Sequence, residues 1–237
     1  MTLIKSVDVS SHQTPDLTTL GQWIADGCQL LWVHSYHSGE NAALQASTRA
    51  WVATARQAGV WCLPYSWIFG GLDPAQQVRE SIQLFIDSDM PPKIVALDCE
   101  TYDVGGTYDA GPSAEQILAA CEEARSMGVE PILYTGKWWL DGIQGNREIL
   151  RGIPAWIANY NNVHDLNVPA VDGVRVIGHQ YTSTPVDWSV FDLEALIALS
   201  TPSTDPCQKL RAELQAIRDR KPYKAPTKKQ LTALLPL

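Results

Sequence analysis

Two carboxylates one residue apart close an apolar run in IVALDCETYD, residues 94–103, where Asp98 and Glu100 follow Ile94, Val95, Ala96 and Leu97. Successive side chains of a strand point to opposite faces, so the two acids share one face and Cys99 takes the other. Their Cα atoms would stand about 6.8 Å apart, a spacing that suits either a retaining or an inverting pair. Two like charges on one buried face repel each other, so such a pair costs stability unless it is used. Paired carboxylates are the usual equipment for hydrolysing a glycosidic bond.

Further acids and rings fall at comparable places. Asp8 lies near the end of the apolar run LIKSVDV, and Asp187 follows Pro185 in a late β-rich stretch. A lone Asp near a strand end is usually a cap or turn residue, so each gains weight only beside the Asp98/Glu100 pair. Tyr36, Tyr65, Trp67, Tyr102, Tyr134, Trp156, Asn159, Tyr160, Gln180 and Tyr181 occupy the ends of other apolar runs. From these we take Tyr65, Trp67, Tyr102, Tyr134, Trp156, Asn159, Gln180 and Tyr181 as the candidate substrate-binding set. Acids ringed by aromatics suit a sugar, whose C–H face stacks while its hydroxyls take polar partners. A metal site is the main rival, with His12, His34 or His179 as extra ligands, but no H-x-x-x-H or H-x-H spacing supports it. Ser10 and Ser11 lack a G-x-S-x-G setting, which disfavours acyl transfer. Trp32 and Trp61 read as core, and His12 as a loop residue.

The elements that must position these groups alternate. β-rich runs recur at 3–9, 30–36, 61–69, 94–100, 131–135, 154–160, 174–181 and 186–191. Helical patterns separate the first five: Leu17, Leu20 and Ile24; an alanine-rich stretch ending at Gly59; Asp73-Pro74 as N-cap and first helical residue; and Ser113 with Gln116 as a capping box. Such alternation predicts parallel βα units. The last strand starts fall only 23, 20 and 12 residues apart, leaving little room for crossover helices. The expected fold is therefore α/β: an irregular TIM-like barrel of five βα units followed by three strands. Active sites of such barrels collect at the C-terminal ends of the strands. No G-x-G-x-x-G follows a strand, which counts against a dinucleotide fold.

Composition narrows the classes further. The 237 residues are 45% hydrophobic and include five scattered cysteines without a C-x-x-C pair. Those cysteines read as buried apolar residues made in a reducing compartment. Residues 1–200 carry 10 Lys/Arg against 23 Asp/Glu, a balance of −13, which counts against nucleic acid as a partner. There is no apolar run long enough for a membrane helix, so no membrane partner is expected. Residues 201–237 differ, with 8 basic against 3 acidic residues, a balance of +5. We divide the chain into a catalytic barrel, 1–200, and a basic tail, 201–237. In the tail, 201–206 reads as a linker, and Leu210, Leu214 and Ile217 then stripe a short amphipathic helix. Self-association, or attachment to a virion or wall, is the expectation for it. MTLIKSVDVS lacks a basic start before an apolar segment, so no secretory signal is expected.

Together VDVSSHQ (7–13), ALDCE (96–100), PILYTG (131–136), PAWIANY (154–160), GHQYTS (178–183) and VDWSVFD (186–192) resemble the glycoside hydrolase family 25 lysozymes. Those are N-acetylmuramidases of bacteria and phage endolysins, built on a flattened barrel of five βα units and three strands. The resemblance covers about residues 3–192 and implies cleavage of the β-1,4 bond between N-acetylmuramic acid and N-acetylglucosamine in bacterial peptidoglycan. It implies Glu100 as general acid, Asp98 as the group that orients the substrate's acetamido arm, and Asp8 and Asp187 as further pocket acids. Tyr65 and Trp156 match ring positions of the family, and no metal or organic cofactor is implied. Two runs depart from the pattern: VHSYHSGE (33–40) replaces a K-A-T-E-G-like segment, and Tyr65 is followed by SWIF where Y-H-F is common. The implied setting is a phage or prophage lysin made in the cytoplasm and acting at the wall after release through a holin or from the virion. A non-catalytic wall-binding or virion module on the same barrel is the alternative, and a chitinase-like enzyme is a third.

Overall fold

A computed structural model describes residues 1–36, 42–104, 107–168 and 173–201. The tail, with its expected linker and helix, lies outside the described residues apart from Thr201. In chain order the elements are β1 (Leu3–Val9), α1 (Leu17–Ala25), β2 (Cys28–Tyr36), α2 (Ala42–Ala58), β3 (Trp61–Trp67), α3 (Pro74–Ile86) and β4 (Ile94–Asp98). There follow β5 (Tyr102–Val104), β6 (Thr107–Asp109), α4 (Ala114–Ser126), β7 (Glu130–Gly136), α5 (Lys137–Leu140), a 3₁₀ turn (Arg147–Leu150), β8 (Pro154–Ala158), β9 (Arg175–Thr182), β10 (Asp187–Asp192) and α6 (Leu193–Ser200).

Eight strands close into a barrel in the order β1-β10-β9-β8-β7-β4-β3-β2, and β5-β6 form a separate hairpin. The irregular α/β barrel expected from the spacing is what forms. Every adjacent pair is parallel except the two made by β10, which runs antiparallel to β9 and β1. The fifth crossover holds only the single-turn α5 and the 3₁₀ turn, and β8 reaches the parallel β9 through a connection with no helix among its described residues.

Helix starts follow local chemistry. Asp16 and Asp73 accept backbone N–H bonds at the first turns of α1 and α3, with Pro74 opening the latter. Ser113 and Gln116 form a complete capping box on α4. Two elements lie beyond those the strand and helix spacing predicts: α6, capped by Asp192, and the β5-β6 hairpin. The hairpin's signal was present, since YDVGGTYD places Gly-Gly between β-prone residues.

Alternation along the strands splits the core into layers. Leu30, Trp32, Leu63, Ile94, Ala96, Ile132, Trp156, Ile177 and Phe191 fill the barrel interior. Val95, Leu97, Cys99, Leu133 and Ile157 face outward onto α3 and α4, while Val7, Leu31 and Val33 meet Trp51 and Ala55 of α2. Trp32 is core, stacked on Trp156 at 5.3 Å between ring centroids. Cys28, Cys62, Cys99 and Cys121 are buried thiols whose pKa values burial pushes up. Among the described residues no helix is long and apolar enough to cross a membrane.

Candidate active site

Strand β4 ends at Asp98 rather than continuing to residue 100. Pairing nonetheless carries on briefly, since Ile68 N–H donates to the Asp98 carbonyl and Cys99 N–H to the Tyr134 carbonyl. The alternation therefore holds through the strand end: Cys99 turns outward into the helix layer, and Asp98 and Glu100 line one pocket.

That pocket, of about 200 Å³, is lined by Asp8, Tyr65, Trp67, Asp98, Glu100, Tyr134, Trp156, Tyr160, Gln180 and Asp187. Register explains the convergence. Trp67 stands beside Asp98, Asp98 beside Tyr134, and Tyr134 beside Trp156, across four neighbouring strands. On the far side Asp8 pairs directly with Asp187. Asp187 opens β10 instead of ending it, and because β10 is antiparallel its first residue lies at the mouth where the parallel strands finish.

Three residues of the substrate-binding set drawn from sequence do not line the pocket. Tyr181 follows the inward Gln180 and so takes the outer face of β9, against His164 and His179. Tyr102 packs edge-on against Trp67 and Phe69, at 5.5 and 5.4 Å between centroids, and buttresses a pocket wall from behind. Asn159 contributes backbone only: its N–H donates to the Gln180 carbonyl, and its carbonyl meets His179 Nε2 at 2.8 Å. Tyr160, which that set omitted, lines the pocket. It continues the inward series Trp156, Ala158, Tyr160, a period-two signal legible in PAWIANY.

Gln180 organises the closing side. Its amide donates to Asp187 Oδ1 at 2.8 Å and to Asp8 Oδ2 at 3.4 Å. Its carbonyl accepts from the Tyr134 hydroxyl and, at 3.5 Å, from the Tyr160 hydroxyl. One buried amide thus ties two acids to two phenols. Burial pushes the Tyr65 and Tyr134 hydroxyls well up, which keeps them protonated as donors.

All four acids are held above the ordinary carboxylate range. Burial is the leading cause in each case. Glu100 is pushed up to about 7 by burial and then by Asp187, and Asp187 itself to about 6 by burial. Asp98 is raised by burial, then by Glu100 and Asp8; Asp8 by burial, then by Asp187. Desolvation therefore leads at Glu100, with repulsion from Asp187 behind it, and Asp98 and Glu100 repel each other across the strand end.

Two buried polar atoms at this pocket, Asp98 Oδ1 and Trp67 Nε1, have no hydrogen-bond partner among the described residues. An unpartnered buried polar group costs roughly 1–3 kcal/mol, a cost natural sites carry where a ligand completes the bond. Among the described residues no group of three or more His, Cys, Asp or Glu is arranged to hold a metal ion. His12 is exposed, and His34 stacks on Tyr65 at 4.7 Å between centroids. A proton donor with a near-neutral pKa, flanked by further carboxyls and aromatic rings, is suited to acid-catalysed cleavage of a sugar linkage.

A closed barrel with paired carboxyls and aromatic rings at its mouth fits a glycoside hydrolase. Residues 7–190 match the family model described as glycosyl hydrolases family 25, and the chain belongs to that family. No curated protein matches the chain by sequence. Among solved structures, the modular autolysin LytC from Streptococcus pneumoniae superposes with a TM-score of 0.59 at 18% identity, covering 80% of this chain and 47% of that one. The catalytic domain of endolysin ply40 from bacteriophage P40 of Listeria monocytogenes gives 0.55 at 17% identity, covering 84% and 98%. The modular Cpl-1 endolysin, complexed with a peptidoglycan analogue, gives 0.55 at 24% identity, covering 79% and 53%. The chain thus matches about half the length of LytC and of Cpl-1.

Proposed function

We propose that the chain is a peptidoglycan hydrolase that cleaves the β-1,4 bond between N-acetylmuramic acid and N-acetylglucosamine. The observation that carries this reading is Glu100, raised to about 7 in a pocket it shares with three other acids. At neutral pH a large fraction of Glu100 holds the proton that the leaving sugar oxygen needs. In the proposed reaction Glu100 protonates the glycosidic oxygen as the C–O bond breaks. The substrate's own acetamido oxygen then bonds to the anomeric carbon, while Asp98 Oδ1 accepts from the acetamido N–H. Water opens that intermediate and gives its proton to the Glu100 carboxylate. Asp8, Asp187 and Gln180 form the far wall, and Trp67, Trp156, Tyr65 and Tyr134 hold the ring.

The test is mass spectrometry of purified peptidoglycan after digestion. Fragments ending in reducing N-acetylmuramic acid are expected; reducing N-acetylglucosamine ends would reject the bond assignment, and no fragments would reject the enzyme. The family match, with structural likeness to two endolysins, supports a phage or prophage lysin, made in the cytoplasm and acting at the wall after release. The charge contrast supports attachment or self-association through 201–237. Deleting that segment is then expected to spare hydrolysis of soluble fragments and to weaken sedimentation with cell walls or oligomer formation on sizing; a truncated chain matching the full one in both assays removes the proposal.

A further inference from the structure

The pocket is smaller than the roughly 300–1,000 Å³ typical of sites that enclose a drug-sized ligand. A polymeric glycan must therefore lie mostly outside it, along the mouth. The mouth's surface on the β7–β8 side carries two large exposed rings.

Tyr134 faces the barrel interior and Thr135 the outer layer, so the next inward direction on β7 belongs to Gly136. A Cβ built on Gly136 would collide with the Trp138 ring. The indole of Trp138 therefore covers the inward side of Gly136, one layer above Tyr134. Its neighbour Trp139 goes the other way, packing on the outer core and donating its Nε1–H to the Ala110 carbonyl at 3.3 Å. Gly136 pairs in register with Ala158 on β8, which faces the interior. Two residues beyond each member of that pair come Trp138 and Tyr160, which are 60% and 52% exposed. The arrangement is thus layered: Tyr134 and Trp156 deep, Gly136 and Ala158 above them, and Trp138 and Tyr160 at the rim. Leaving most of an indole in water forgoes the gain of burying it. Glycine at 136 is what allows the ring to lie where it does.

We propose that Trp138, on the same β7–β8 side of the rim as Tyr160, is a stacking platform for a pyranose ring of the glycan strand, one or more sugars away from the bond held between the acids. Tyr160 lines the acid pocket and is also half exposed at the rim, which selects this occupant: a glycan strand extending from the pocket over the β7–β8 side would meet the Trp138 ring. The inference rests on the glycan-hydrolase reading above and adds a subsite to it.

The experiment measures calorimetric binding of peptide-free disaccharides and tetrasaccharides of alternating N-acetylglucosamine and N-acetylmuramic acid to Glu100→Gln protein, with and without Trp138→Ala. The tetrasaccharide is expected to bind Glu100→Gln about tenfold more tightly than the disaccharide, the scale of one aromatic stack. Trp138→Ala should remove that gain, and Trp138→Phe should restore most of it, which separates ring stacking from damage to the rim. A length gain that survives Trp138→Ala, or no gain in Glu100→Gln, overturns the platform. Failure of the unsubstituted chain to cut peptidoglycan overturns the hydrolase reading instead, and each result can occur without the other.

Discussion

The barrel's two sides reach one mouth by different routes. On the β2-β3-β4-β7 side each strand runs parallel to the next, and β2, β3 and β4 lead into α2, α3 and α4. Asp98 and Glu100 come off the end of β4, as a parallel barrel requires. On the closing side, β8-β9-β10-β1, β10 turns antiparallel and presents Asp187 from its first residue, directly opposite Asp8. Residue type and the direction of the chain, rather than position along it, thus decide which acids meet. The difference also shows in the supports. The parallel side is braced by a carboxylate on backbone amides: Asp109 accepts from Gly70, Gly71 and Gly111 N–H at 2.9, 3.1 and 2.7 Å. The closing side is braced by Gln180, which links side chains to side chains.

The sharpest test of the parallel side is Glu100→Gln. The isostere keeps volume and loses the transferable proton, so turnover is expected to fall by about 10³-fold or more while the melting temperature barely moves. Wild-type-like lysis at neutral pH would remove Glu100 from the proton-donor role. In the unsubstituted enzyme the donor must be protonated, so kcat/KM should decline as pH rises through about 7.

On the closing side, Gln180→Leu leaves Asp187 and Tyr134 without their amide partner in a buried setting. A loss of roughly 2–3 kcal/mol in stability and about tenfold or more in turnover is expected, read by denaturant unfolding and initial rates. A variant as stable and active as the parent would mean that the bridge does not organise the acids.

The acids of both sides also set a pH dependence of stability. Each has a folded pKa above its unfolded value, so its contribution is full below about 4 and is lost as pH rises through the folded value. For Asp187 and Glu100 those values are about 6 and 7, so the melting temperature should fall between pH 5 and 8. Asp187→Asn cannot ionise and should recover roughly 1–2 kcal/mol at pH 8, after allowance for solvent screening. A melting temperature that climbs over this interval would refute the raised values.

The smallest effect is expected from Asp109→Ala. Losing three amide contacts should cost about 1–2 kcal/mol, and loosening the β3–α3 loop beside Trp67 should raise KM a few-fold with little change in kcat. An equal fall in kcat would place Asp109 closer to the chemistry than the geometry does.

Much of this was already written in the chain. Asp98, Cys99 and Glu100 alternate as their types require, because an apolar strand end has one dry side and one wet one. The capping residues Asp73, Pro74, Ser113 and Gln116 announced their helices, since these caps act within one turn. The shrinking strand intervals foretold a barrel whose last strands lack crossover helices. Tyr160 was legible too, by the period of two from Trp156.

Other features required the folded molecule. Register turns Tyr181 to the outer face of β9, and the separate β5-β6 hairpin holds Tyr102 against Trp67 and Phe69 rather than in the pocket lining. The direction of β10 brings Asp187 opposite Asp8, a relation between residues far apart in sequence. Burial, a property of the assembled barrel, is the leading cause that lifts Glu100 toward neutrality. The sequence determined which groups exist and how strands and helices alternate, because those signals are local; the tertiary structure decided which groups share a pocket and how firmly each holds its proton, because register and desolvation arise only when distant segments close on one another.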